Sequence, residues 1–260
     1  MEPSEKITPD WIRAAKACGE RIAALTAYDY PTARLLDEAG VPVILVGDSV
    51  GMVVLGYPDT TEVTLADMRH HVAAVARAKP RALVVADLPY HTYQTEQNAV
   101  ANARLLTGAG AEAIKLEGGV KVAPEIRALR AAGIAVMGHV GMLPQSVREE
   151  GGYKVKGRSE AERERLLADA LAVEEAGAFA LVMELVEMEL AREISVRLKI
   201  PTIGIGSGPN CDGQILVTHD LVGAFPWFRP KFAIAKADVA SAIRGAAEEF
   251  VRQVRDGGSR

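Results

Sequence analysis

The fold class predicted by the sequence is α/β: a single-domain (β/α)8 barrel with an extra helix at its N-terminus, spanning residues 1–260. Three observations carry it. Short apolar runs alternate with helical patterns along the whole chain, which is the grammar of βα units around a parallel sheet. The units number about eight, and eight favours a closed barrel over an open doubly wound sheet. Four of the runs deliver an acid near their carboxyl ends: VILVGDSVG (43–51) with Asp48, ALVVAD (82–87) with Asp87, AIKLE (113–117) with Glu117 and FALVME (179–184) with Glu184. In a barrel all strand carboxyl ends open onto one mouth, so acids distant in the chain would converge there.

The elements follow in order. A helix is expected over residues 8–18, with Thr8 as cap, Pro9 at the first helical position and Gly19 as the stop. Residues 22–27 form the first strand, closed by Tyr28, Asp29 and Tyr30, with Asp29 read as a structural hydrogen-bonding residue. Pro31 opens a helix that ends at Gly40, and 43–46 is the second strand. A long glycine-bearing segment follows Asp48. Thr64 then caps a helix, with Asp67 three residues on as its box-like partner, and Pro80 stops that helix after Lys79. His70 and His71 are adjacent on it and do not face one point, so they are structural or solvent-facing.

The third strand is 83–86, followed by a loop carrying Tyr90, His91, Thr92 and Tyr93 and a helix over 96–107. The fourth strand is 113–116 and the next helix 122–132. The fifth strand is 134–137, with Gly138 and His139 at its end. The connection 140–159 is polar, glycine-rich and longer than an ordinary αβ loop, and such loops often carry function. A helix (160–176), the sixth strand (180–183), a helix (187–198) and the seventh strand (201–206) follow. A last strand begins at Ile215. Residues 224–230 are loop-like, 235–254 form a closing helix and 256–260 a frayed tail.

Composition excludes several classes of function. With 25% charged residues and a formal net charge of -4, there is no electrostatic case for nucleic acid. Cys18 and Cys211 make no disulfide framework and have no metal-ligand spacing, so each is expected to be a small buried or half-buried side chain. No apolar run reaches membrane-spanning length, and the polar, acidic N-terminal stretch lacks an apolar signal core. The expectation is a cytoplasmic enzyme of small molecules with no membrane partner.

At the expected mouth, Asp48, Asp87, Lys115, Glu117, His139 and Glu184 would meet. Two or three carboxylates with a serine, Ser49, suit a hard cation such as Mg²⁺, which prefers oxygen ligands and keeps waters or substrate oxygens. Lys115 and Glu117 are two apart on one strand and point the same way, with Leu116 facing the helices. Lys115 is either a buried partner for Glu117 or a cation for a substrate carboxylate, and one lysine can do both. The glycines of residues 204–208 resemble a dinucleotide fingerprint only weakly, since no acid follows at the required distance. In a barrel that turn suits an anion.

These residues resemble the ketopantoate (3-methyl-2-oxobutanoate) hydroxymethyltransferase family. The resemblance runs nearly the whole chain, through TAYDY (26–30), LVGDS (45–49), ADLP (86–89), IKLEGG (114–119), GHVG (138–141), PQS (144–146), GGYKV (151–155), GIGSG (204–208) and DGQILV (212–217). It implies a TIM barrel, assembled in well-studied members as a homodecamer of two pentameric rings. It implies transfer of a hydroxymethyl group from 5,10-methylenetetrahydrofolate to 3-methyl-2-oxobutanoate, giving 2-dehydropantoate for pantothenate biosynthesis. One Mg²⁺ per subunit would be held by Asp48 and Asp87, directly or through water, with Glu117 close to the ion. Asp48, Ser49, Asp87 and Lys115 would bind substrate, Lys115 meeting the keto acid carboxylate. His139 would lie near the substrate, and Glu184 matches the proposed general base, with His139 as its rival. The resemblance assigns no folate contacts; residues 90–95 and 224–232, where it is weaker, would border that site. A second reading is a Mg²⁺-dependent phosphoenolpyruvate mutase or isocitrate-lyase-like barrel acting on a 2-oxo acid, although the reactive cysteine common in those enzymes is missing here.

Overall fold

The computed structural model describes residues 5–257; residues 1–4 and 258–260, at the ends of the polar N-terminal stretch and of the frayed tail, lie outside the described residues. Eight parallel strands close into a barrel in sequence order: β1 (Ile22–Thr26), β2 (Val43–Val46), β3 (Leu83–Asp87), β4 (Ala113–Glu117), β5 (Ala135–Gly141), β6 (Ala180–Glu184), β7 (Thr202–Ile205) and β8 (Gly213–Leu216). The helices are α1 (Pro9–Ala17), α2 (Tyr30–Glu38), α3 (Leu65–Ala76), α4 (Glu96–Gly108), α5 (Ala123–Ala131), α6 (Val147–Glu150), α7 (Glu160–Glu175), α8 (Met188–Arg197), α9 (Thr218–Leu221) and α10 (Val239–Arg255). This is the expected (β/α)8 architecture. The chain divides into two compact units, one ending at Ile215 and one beginning at Leu216.

Local chemistry starts the helices. The Thr8 hydroxyl accepts from the Trp11 N–H, and the Asp29 carboxylate accepts from the Thr32 N–H, which is the structural role expected of Asp29. Thr64 and Asp67 form a reciprocal capping box, as do Ser159 and Glu162. The segment after Asp48 contains a turn of π-helix, Gly51–Leu55, and a short 3-10 turn, Thr60–Glu62.

Two apolar layers follow from the alternation of each strand. Outward residues such as Ile44, Val84, Ile114, Leu116, Val136 and Leu181 pack beneath the helices. Inward residues fill the barrel: Ile22 and Ala24, Val43 and Leu45, Leu83 and Val85, Ala113, Met137, Ala180 and Val182. Ile12 and Ala15 of α1 belong to this inner cluster, so the N-terminal helix packs with the lower barrel.

β5 is longer than the expected 134–137. Its pairing continues to Glu117↔His139 on one side and Gly141↔Glu184 on the other. Gly138, expected at the strand end, and Gly141, expected in the connection after it, both belong to β5 and are sites of close approach. A Cβ on Gly138 would lie 2.3 Å from Val173 Cγ1, and one on Gly141, whose φ is +102°, would lie 2.2 Å from the Glu184 carbonyl oxygen. Cys211 is buried as expected, but Cys18 is exposed, because it caps the solvent-facing end of α1. His71 is structural, its Nδ1 lying 2.7 Å from the Tyr28 carbonyl oxygen, and His70 is exposed. In the second unit, α10 is capped by Asp238 and buries none of its residues, leaving Ile243 and Phe250 exposed. No helix among the described residues is long and apolar enough to cross a membrane.

Candidate active site

The same alternation that buries Val43 and Leu45 brings charge to the upper barrel. Continuing inward by twos, β3 passes from Leu83 and Val85 to Asp87. β4 passes from Ala113 to Lys115 and Glu117, β5 from Met137 to His139, and β6 from Ala180 and Val182 to Glu184. All five polar side chains are buried, as is Asp48 just beyond β2. Every site residue expected from the sequence is therefore at one end of the barrel.

Their contacts form one network. Lys115 Nζ lies 3.0 Å from Asp87 Oδ1, and Asp87 Oδ2 accepts from the Asp48 N–H at 3.0 Å. His139 stands between two acids, Nδ1 at 3.4 Å from Glu117 Oε1 and Nε2 at 3.4 Å from Glu184 Oε2. Lys115 Nζ is also 3.2 Å from Nδ1. Ser49, half-buried, lies 2.8 Å from the Tyr28 hydroxyl.

Three residues to which the sequence reading gave no role complete the site. Gln145, from the 3-10 turn Pro144–Ser146, donates through Nε2 to Asp48 Oδ2 at 2.8 Å and to the Leu88 carbonyl at 2.9 Å. Its backbone N–H donates to Glu117 Oε2 at 3.1 Å, and its Oε1 accepts from the Tyr93 hydroxyl at 2.5 Å. One residue thus ties two acids together from outside the barrel strands, through its side-chain amide and its backbone N–H. The third is Tyr28. The sequence signal was position alone: Gln145 sits in the long 140–159 connection, and both tyrosines follow strand ends.

Charge is unbalanced. Burial and repulsion from Asp87 and Glu117 hold Asp48 well above the ordinary carboxylate range. Burial also raises Asp87, although Lys115 opposes it. Burial and Lys115 both disfavour a charged His139, but Glu117 and Glu184 outweigh them and raise the ring to about 9. Burial would raise Glu117, but His139 and Lys115 hold it below its usual value. Burial disfavours the Lys115 ammonium, yet Asp87, Glu117 and Asp48 keep it charged. Four carboxylates face two cationic groups, which is costly at close range unless another cation joins them.

The fit to Mg²⁺ rests on that imbalance and on unfilled valences. Asp87 Oδ1 and Glu117 Oε1 are buried oxygens that accept no aligned hydrogen bond. Gly47 leaves room beside them, since a Cβ there would lie 3.0 Å from Ser49 Oγ and 3.5 Å from Asp87 Oδ2. The donors are hard oxygens, with no thiolate among them. No three acidic, histidine or cysteine side chains among the described residues are gathered closely enough to hold an ion unaided.

The turn after β7 is fastened by its serine. Ser207 is buried, donates to the Met183 carbonyl at 2.7 Å and accepts from the Val186 N–H at 2.9 Å, so it pins the turn to the end of β6.

The family model described as ketopantoate hydroxymethyltransferase matches residues 6–258. The chain belongs to that family. A 3-methyl-2-oxobutanoate hydroxymethyltransferase of Moorella thermoacetica is 55% identical over 99% of this chain and 96% of its own length. One of Caldivirga maquilingensis is 58% identical over 91% of this chain and 89% of its own. Among solved structures, a phosphonopyruvate hydrolase in complex with oxalate and Mg²⁺ aligns with TM-score 0.65 at 18% identity, covering 97% of this chain and 89% of that one. A 2,3-dimethylmalate lyase of the phosphoenolpyruvate mutase/isocitrate lyase superfamily aligns with TM-score 0.62 at 21% identity, covering 96% and 88%. These last two share the fold. Membership of the hydroxymethyltransferase family, a family of transferases, separates the chain from the mutase and lyase reading.

Proposed function

We propose that the chain, acting as one catalytic domain over residues 1–260, transfers a hydroxymethyl group from 5,10-methylenetetrahydrofolate to 3-methyl-2-oxobutanoate, giving 2-dehydropantoate and tetrahydrofolate on the route to pantothenate. The observation that supports it best, beside the family, is the buried cluster of Asp48, Asp87, Glu117 and Glu184 around a single ammonium, Lys115. Asp48 and Asp87 would hold one Mg²⁺ per subunit, directly or through water, with Glu117 close to the ion. When bound, the ion draws electron density from the keto oxygen and stabilises the enolate.

The chain's own residues do the rest. Lys115, held charged by Asp87, meets the substrate carboxylate. Ser49, set by Tyr28, orients it. Glu184 is the base that removes the C3 proton. Its side chain is the most accessible of the paired charged groups, at 11% against 2–5% for Asp87, Lys115, Glu117 and His139. Both nitrogens of His139 already face carboxylates, which leaves the ring as the group that positions Glu184 and Glu117. The enolate carbon then bonds to the methylene carbon, both carbon–nitrogen bonds to folate break, water supplies the hydroxyl group, and the two folate nitrogens take up the proton removed from C3 and the other proton of that water. We infer cytoplasmic residence and a homo-oligomer, a decamer as the family resemblance implies, for which the unburied Ile243 and Phe250 of α10 leave apolar surface to cover.

The test is direct. Incubation with 3-methyl-2-oxobutanoate, 5,10-methylenetetrahydrofolate and Mg²⁺ yields 2-dehydropantoate, detected by mass spectrometry; absence of product with a folded protein refutes the reading.

A further inference from the structure

Gln145 does more than join two acids: it decides which of their oxygens stay free. It is 3% exposed and sits on the turn Pro144–Ser146, which is fastened at both ends. The Met142 N–H donates to the Glu184 carbonyl at 2.8 Å, the Ser146 N–H donates to the Leu143 carbonyl at 2.9 Å, and the Pro144 ring fixes the first residue of the turn. The amide fits only one way round. The Leu88 carbonyl accepts and cannot donate, so the amide nitrogen faces it, while the Tyr93 hydroxyl donates to Oε1 on the other side.

Each of the three acids is thereby held to one uncommitted oxygen. Asp48 Oδ2 accepts from Gln145 Nε2 at 2.8 Å, and Glu117 Oε2 accepts from the Gln145 N–H at 3.1 Å. Asp87 Oδ2 accepts from the Asp48 N–H at 3.0 Å. What is left is Asp48 Oδ1, together with Asp87 Oδ1 and Glu117 Oε1, the two buried oxygens that accept no aligned hydrogen bond. Lys115 and His139 stand near the last two, at 3.0 and 3.4 Å. Two of the three commitments therefore come from one residue, and it lies outside the barrel strands.

Divalent ions differ in what they take from a carboxylate. Mg²⁺ demands a near-octahedral shell at about 2.0–2.1 Å, and the two oxygens of one carboxylate lie too close together to fill two of its corners. Ca²⁺ bonds at about 2.3–2.6 Å, takes roughly six to eight oxygens and accepts both oxygens of one carboxylate. A carboxylate with one oxygen committed to a buried N–H serves the first ion and is a poor partner for the second. Resting on the reading that this cluster holds Mg²⁺, we propose that Gln145 is the positioning residue that sets which ion it accepts. By committing Asp48 Oδ2 and Glu117 Oε2 it keeps both acids one-oxygen partners, to the ion or to a water on it, and so favours Mg²⁺ over Ca²⁺. Tyr93 acts through Gln145, by holding its amide the right way round.

The test reads ion selectivity, not activity. Mn²⁺ is bound to the parent, to Gln145→Met and to Tyr93→Phe, and its displacement by Mg²⁺ and by Ca²⁺ is followed through the electron paramagnetic resonance of the free Mn²⁺. Gln145→Met keeps the length of the side chain and the backbone N–H, and removes the donor to Asp48. The parent is expected to favour Mg²⁺. Gln145→Met is expected to lower the ratio of Mg²⁺ to Ca²⁺ affinity by about tenfold or more, by weakening Mg²⁺ while Ca²⁺ binding holds or tightens. Tyr93→Phe should shift the ratio the same way by a smaller factor, and it decides the question if Gln145→Met does not fold. A residue that only supported the fold would lower both affinities together. An unchanged ratio in Gln145→Met, or loss of all the ions together there, overturns the proposal. So does a parent that binds Mg²⁺ and Ca²⁺ equally or binds neither. Formation of 2-dehydropantoate is measured separately; its absence refutes the hydroxymethyl transfer, and the ion titrations still report on Gln145.

Discussion

The lower and upper halves of the barrel interior are built from the same strands by the same alternation, yet they serve opposite ends. Below, Leu83, Val85, Ala113, Met137 and Val182 make an apolar core with Ile12 of α1. Above, two residues further along the same strands, Asp87, Lys115, Glu117, His139 and Glu184 are buried with their charges imperfectly matched. The difference teaches where stability and function reside. The lower half contributes folding free energy, each buried aliphatic side chain adding about 1.5–3 kcal/mol. The upper half carries desolvated charge held in mutual pairs, so removing one member should cost activity far more than the fold, and costs stability only through the partner left unpaired.

The sharpest test of that division is at Asp87. Asp87→Asn is expected to weaken Mg²⁺ binding by about 100-fold or more and to abolish product formation, while the fold is retained with a lowered thermal midpoint, because the buried Lys115 ammonium loses its counter-charge. Titration of Mg²⁺ and a circular dichroism melt measure the two effects. An unchanged titration sinks the metal assignment, and an unfolded variant breaks the contrast between the halves. Next comes the proton transfer. Glu184→Gln is expected to lower C3 exchange in D₂O by about 100-fold or more while the keto acid still binds, and His139→Asn to keep a measurable part of it. The reverse ranking makes His139 the base.

The counterpart below is Leu83→Ala, which removes about 2–5 kcal/mol of stability, read as a lower urea midpoint, and leaves kcat/KM of the folded fraction near the parent value. A loss of activity without a loss of stability there would mean that the two halves are not separable. The smallest expected effect is on specificity. Lys115→Ala should raise KM for 3-methyl-2-oxobutanoate by about tenfold and leave tetrahydrofolate affinity unchanged, since its charge faces Asp87 and the keto acid side of the site. Equal losses for both ligands would show that Lys115 only supports the pocket.

Much of this was legible from residues alone, and the reasons are local. β2 lies at Val43–Val46 as read, and Thr64 with Asp67 makes the capping box that their spacing announced. Strand period two put Lys115 and Glu117 on one side and Leu116 under the helices, where it packs. Eight βα units implied closure, and closure implied that Asp48, Asp87, Glu117, His139 and Glu184 share one mouth. These features depend on neighbours in sequence or on a repeat, and a chain displays both without being folded.

The tertiary structure alone decided which groups meet. Gln145 reaches Asp48 and Glu117 across more than one βα unit, and Tyr93 reaches Gln145 from another loop. Neither pairing has a spacing that a sequence could announce. Gly138 read as the end of a strand and Gly141 as part of the connection after it, but both belong to β5, because their missing side chains admit Val173 and the Glu184 backbone. The place of the His139 ring between Glu117 and Glu184 was likewise set by closure of the barrel. Cys18 was expected to be buried or half-buried, but α1 packs with Ile12 and Ala15 inward and leaves it outside. Alternation and capping act over a few residues, so the sequence by itself determined the barrel and its inward acids. Partners, charges and cavities depend on contacts between segments far apart in the chain, and those exist only once the barrel has closed.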